Sequence, residues 1–160
     1  MMSAGRIILI GVSLFFLSPL PSLGNSLPEL IGAFRLKQVI SGKEAKQEID
    51  RLHGKKIGYK AGYIGSYENG DKKARIWISE YSVKSEAVEG IQRMSQGLKA
   101  NEGTAFWHFR EISIDGLPVY FAVGMGQVHY FFQKGIRIIW LAVDPAPARE
   151  TIRDLISKTP

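Results

Sequence analysis

Three histidines are the side chains best suited to metal or proton chemistry: His53, His108 within Trp107-His108-Phe109, and His129 within Val128-His129-Tyr130. None has the short His-x-His or His-Glu-x-x-His spacing by which one element presents two ligands to an ion. A metal or haem site would have to assemble in space, and the set that could do so is His108, His129 and Met125, whose thioether suits a soft ion such as copper. The competing use of these residues is structural, with His53 as a cation at a helix C-terminus and the other two as hydrogen-bonded sheet residues. Hydrolytic acid–base chemistry would need a carboxylate beside a histidine in a cleft. Glu80 and Glu111 lie within or beside apolar strands, and Glu111 with a histidine is the pair such an enzyme would use. Glu111 alternates with Arg110, however, so those two point to opposite faces of a strand.

The motifs that would strengthen an enzymatic reading are missing. There is no Gly-x-Ser-x-Gly elbow, no Gly-x-x-x-x-Gly-Lys-Ser/Thr phosphate loop, and no Gly-x-Gly-x-x-Gly leading from a strand into a helix. Gly124-Met125-Gly126-Gln127 begins like the last of these but opens a strand. With no cysteine anywhere in 160 residues, disulfides, thiolate zinc sites, iron–sulfur clusters, covalent c-type haem and a Cys nucleophile are all excluded. The balance is against an enzyme, and no cofactor is expected.

The most distinctive chemistry is aromatic. Phe106, Trp107, Phe109, Tyr120, Phe121, Tyr130, Phe131, Phe132 and Trp140 crowd one C-terminal stretch and occupy both strand parities. If helices cover only one face of the sheet they form, the other presents aromatics to a partner protein or a small apolar ligand. The residues of such a surface are Trp107, His108, His129, Tyr130 and Trp140, with Arg110 and Arg137 as polar anchors. The alternative is a sheet covered on both faces, in which these rings are core.

The elements that must position these residues follow from periodicity and turn signals. Ser41-Gly42-Lys43-Glu44 fits a capping box ahead of a helix with Ala45, Ile49 and Leu52 on one stripe, ended by Gly54. Residues 56–67 and 73–81 read as a hairpin about Asn69-Gly70. A second helix from about Ser82 to Ala100 places Ala87, Ile91, Met94 and Leu98 on one face and Lys84, Glu89, Arg93 and Gln96 on the other. Strands at 105–113, 117–123, 127–133 and 136–143 are separated only by turn residues, which forces an antiparallel meander. Asp144-Pro145 then caps a closing helix carrying Ala148, Ile152 and Leu155. Residues 25–37 read as an arm. The sum is an α+β domain, an antiparallel sheet of about six strands in the order α-ββ-α-ββββ-α. This order is similar to that of small exported domains in which helices sandwich an antiparallel sheet, the PsbP-like fold. The similarity is architectural and implies no activity.

Ahead of the domain, Arg6, the apolar run Ile7–Leu17, Pro19, Pro21 and the small residues Ser22 and Gly24 make a secretory signal with its cut between Gly24 and Asn25. The run is shorter than the ~20 residues needed to span a bilayer, so no transmembrane anchor is expected after cleavage. Cutting there removes one cation from a formal net charge of +6 and leaves residues 25–160 as a single mildly basic domain. A chain of this length holds a core without disulfides, which fits a periplasmic or secreted protein. Lys55, Lys56, Lys60, Lys72 and Lys73 gather about the first hairpin, but export argues against nucleic acid; they keep an edge soluble or meet an acidic partner. The sequence thus predicts an exported, non-enzymatic binding or accessory module.

Overall fold

The computed structural model describes residues 27–53, 56–101, 103 and 105–160. The leader at 1–24, its cut after Gly24 and the helix-ending Gly54 lie outside the described residues. The elements run β1 (Leu30–Ile31), β2 (Phe34–Ser41), α1 (Gly42–Leu52), β3 (Ala61–Asn69), β4 (Lys72–Glu80), α2 (Lys84–Ala100), β5 (Trp107–Ile114), β6 (Leu117–Gly124), β7 (Gln127–Lys134), β8 (Arg137–Val143) and α3 (Ala148–Lys158). All the strands join one antiparallel sheet in the order β1-β2-β3-β4-β8-β7-β6-β5.

The sheet therefore has eight strands, not about six. The two extra ones come from the segment read as an arm. In β2, Phe34 and Leu36 alternate with Arg35 and Lys37, but a register shift between Leu36 and Gln38 reverses the phase and leaves Val39 exposed. A strand that changes face halfway shows no sustained period of two.

Each half of the sheet is built from local pairings. Met125 and Gly126 have φ of 52° and 75°, and Asp115 and Gly116 have 50° and 81°, the left-handed pairs that two-residue hairpins need. The halves meet where β4 pairs with β8, from Ala74 opposite Val143 to Glu80 opposite Arg137. The Arg137 Nε donates to Glu80 Oε2 across this seam at 2.9 Å.

Helices cover both faces. On one, Ile64, Phe131 and Ile138 meet Ala45 and Ile49 of α1 and Ala87 and Ile91 of α2. On the other, Ile76, Tyr130, Phe132 and Leu141 pack under Ile152 and Leu155 of α3. A Cβ on Gly62 would lie 3.0 Å from Ile49 Cδ1, so glycine here lets α1 sit close on β3. The rings of the central strands β7 and β8 are divided between the two faces, with Phe131 under α1 and α2 and Tyr130 and Phe132 under α3, whereas Trp107 on β5 is exposed.

The expected helix starts work differently. Ser41 is still paired with Tyr63 as the last residue of β2, and its side chain makes no capping bond. Asp144 does not cap α3, which begins at Ala148. Its Oδ2 accepts the Lys73 N–H at 2.9 Å and its Oδ1 accepts Gln127 Nε2 at 3.1 Å, so it clasps the ends of β4, β8 and β7. α2 begins at Lys84 rather than Ser82, whose N–H donates to Glu86 Oε2 at 3.3 Å. At α3, Asp154 Oδ2 accepts the Gly32 N–H at 2.6 Å and Lys158 Nζ at 2.7 Å, tying the β1–β2 turn to the helix. Lys134 Nζ donates to the carbonyls of Ile156 and Thr159 and so satisfies the end of the same helix.

Candidate functional site

Between α1, α2 and the sheet face they cover lies a groove of about 640 Å³. Its floor is Trp77 of β4, His129 of β7, and Ile138 and Trp140 of β8. Trp77 and Trp140 are direct partners in the β4–β8 register, which puts two indoles side by side. One wall is the end of α1, with Ile49, Leu52 and His53; the other is the stripe Gly90, Met94, Gly97 and Leu98 of α2. A Cβ at Gly97 would meet nothing within 4 Å, so this glycine leaves the wall thin and the groove open beside it. Phe106 and Met125 stand at the end near the β6–β7 turn.

The ring nitrogens of the floor are already satisfied from within. Trp77 Nε1 donates to Glu48 Oε1 at 3.3 Å, and that oxygen also takes Arg75 Nη2 at 2.7 Å. Trp140 Nε1 donates to His129 Nδ1 at 3.0 Å. An imidazole nitrogen that accepts carries no proton, so the hydrogen is on Nε2, which donates to the Gly124 carbonyl at 3.0 Å. Burial holds the pKa of His129 below its ordinary 6.5, an effect the Gly124 bond partly offsets. His129 is therefore the neutral Nε2–H tautomer, with both nitrogens committed to the protein. Phe106 lies edge-on to it, with ring centroids 4.9 Å apart.

Behind the groove, Trp140, Phe131, Tyr120 and Phe109 form a continuous stack across β8, β7, β6 and β5, with successive centroids 5.2, 5.0 and 5.9 Å apart. The stack fixes the plane of Trp140 while the His129 bond fixes its edge.

Of the residues singled out for an aromatic surface, the structure brings His129 and Trp140 together and separates the rest. Trp107 and His108 are exposed on the edge strand β5, where a register shift between Trp107 and Arg110 leaves His108 at φ 58°. Arg110 lies over the Phe121 ring at 4.6 Å. Tyr130 is buried under α3, on the opposite face from His129. Arg137 is held by Glu80 at the seam. For the metal set, Met125 is 71% exposed at a hairpin tip and His108 does not line the groove. Among the described residues no cluster of three or more His, Cys, Asp and Glu is placed to hold an ion. Glu111 is exposed on β5, outside the groove.

Sequence reasoning missed Trp77, Met94 and His53 as groove residues. Trp77 carries a signal in hindsight, since it shares a strand face with Arg75 and needed something to pack against; its pairing with Trp140 is non-local and has no sequence trace. Comparison with protein-family models, with curated proteins and with solved structures finds no match to this chain.

Proposed function

We propose that this protein is an exported, non-enzymatic binding module whose ligand is a small apolar molecule held in the groove over Trp77 and Trp140. The observation that carries this reading is the floor itself. Two adjacent indoles have both N–H groups satisfied by Glu48 and His129, so their ring surface carries no unmet N–H, and the hydroxyls of Ser79 and Tyr81 are further polar groups along the groove. Burying an unmet donor under a ligand would cost about 1–3 kcal/mol, and at the indoles that cost is absent. The volume of about 640 Å³ lies within the roughly 300–1,000 Å³ of small-molecule sites. Walls on two sides favour a small molecule over the flat surface of a partner protein. The leader supports the exported part of the proposal, with Arg6 ahead of the apolar run Ile7–Leu17.

The test uses N-phenyl-1-naphthylamine, a neutral apolar fluorophore, titrated into protein expressed from the full-length sequence. Saturable binding, with energy transfer from the groove tryptophans, is the expected result. Met94→Trp fills the groove from its α2 wall and abolishes the signal at unchanged melting temperature. Binding that does not saturate, or that Met94→Trp leaves intact, refutes the proposal.

A further inference from the structure

We infer that the groove selects an apolar monocarboxylate, its hydrocarbon body lying over Trp77 and Trp140 and its carboxylate reaching the Arg93 guanidinium. This rests on the groove being the ligand site and adds the chemistry of the ligand's polar end. Among the described residues lining the groove there is no carboxylate, and Arg93 is the one permanently charged side chain. Of the other ionisable groups there, His129 uses both nitrogens, His53 Nδ1 is 2.8 Å from the Ile49 carbonyl, and Tyr81 is a buried phenol whose pKa burial raises, so that it stays neutral.

Arg93 itself is loosely held. Its partner is Glu89, one turn earlier on the same helix, at 3.4 Å with both side chains more than half exposed, a geometry that contributes little and is easily exchanged. A guanidinium at the rim of an apolar cleft can therefore swap a solvated carboxylate for that of a ligand without breaking a buried pair. Its charge attracts an anion entering the cleft and repels a cation. An uncharged apolar ligand gains nothing from this arrangement, so the charge asymmetry makes the choice among apolar ligands.

The experiment displaces bound N-phenyl-1-naphthylamine with oleate, methyl oleate or oleylamine, each below its aggregation threshold. Oleate is expected to displace the fluorophore at about two- to fivefold lower concentration than methyl oleate, the gain of one solvent-exposed ion pair, with oleylamine the weakest. Added salt narrows the gap. Arg93→Gln closes it and Arg93→Lys keeps most of it, while Arg153→Gln on α3, on the far face, leaves it unchanged. Equal displacement by oleate and its ester, a gap that survives Arg93→Gln, or a preference for oleylamine overturns the inference while leaving apolar binding in place. Failure of the fluorophore to bind removes the ligand site and the inference together.

Discussion

The arrangement at His129 makes stability depend on pH in a direction that can be worked out beforehand. The imidazole is 3% exposed, accepts from Trp140 and donates to Gly124. A proton added to Nδ1 would face the indole N–H, so the folded state resists protonation and its pKa lies below the unfolded value near 6.5. Above pH 6.5 neither state binds the proton and this contribution is complete. Below it the unfolded chain takes up the proton while the folded protein does not, so stability falls as pH falls, levelling off once the folded pKa is reached. The slope from one group is at most about 1.4 kcal/mol per pH unit, giving no more than about 2 kcal/mol between pH 6.5 and 5. Carboxylates titrate lower in the same range, and His129→Gln separates them. The amide oxygen can accept from Trp140, its NH2 can donate to Gly124, and nothing titrates. Urea unfolding of both proteins from pH 8 to 5 is expected to show the wild type losing stability relative to His129→Gln below pH 6.5, by up to about 2 kcal/mol at pH 5. Parallel curves, or a wild type that gains on the variant in acid, would refute the tautomer and the reasoning built on it.

Three further outcomes are expected. Gly124→Ala would drive its Cβ into the Ala105 carbonyl and to 2.7 Å from the Phe106 ring, costing about 1–3 kcal/mol in urea unfolding and weakening fluorophore binding; a neutral result counts against the packing of that corner. Asp154→Ala frees the Gly32 amide and Lys158 and should lower stability by roughly 1–3 kcal/mol, with faster hydrogen exchange at Gly32 and in β1; unchanged protection would show that Ile31 and Phe34 hold the turn by packing alone. N-terminal sequencing of protein recovered from the periplasmic fraction of a bacterial host is expected to begin at Asn25, and an intact Met1 on cytoplasmic protein rejects export.

The parts of the fold legible in the sequence were those set by neighbours in the chain. Asp115-Gly116, Met125-Gly126 and Gly135 punctuate the meander so closely that its four strands fall within two residues of expectation. The helices were legible from the stripes of Ala45 and Ile49, of Ala87 and Ile91, and of Ile152 and Leu155, all of which are buried, although Leu52, assigned to the first stripe, is exposed at the end of α1. What was lost depended on bulges and on distant pairing. The shift at Leu36/Gln38 hid β2, and the shift between Trp107 and Arg110 broke the parity of β5. At the groove, the aromatic density in the sequence included His129 and Trp140, which line its floor, but strand parity already separated Tyr130 from His129, and Arg137 from Trp140. The groove needs Trp77 from the other half of the sheet and a helix wall from α2, and only the non-local β4–β8 register brings these together.

That register also bears on how the chain reaches its folded state. The strand of this sheet that comes latest in the sequence, β8, is an interior strand, flanked by β4 on one side and β7 on the other. Before residues 137–143 exist, the first half of the sheet ends on β4 with Ile76 and Ile78 at an unpaired edge, and the groove has half a floor. Hairpins on either side can form early because their loops are short, whereas the seam must wait for a long loop to close. A chain emerging from its N-terminus therefore cannot complete this sheet until residues 137–143 have been made, and removal of β8 would leave two half-sheets with exposed edges and a tendency to associate.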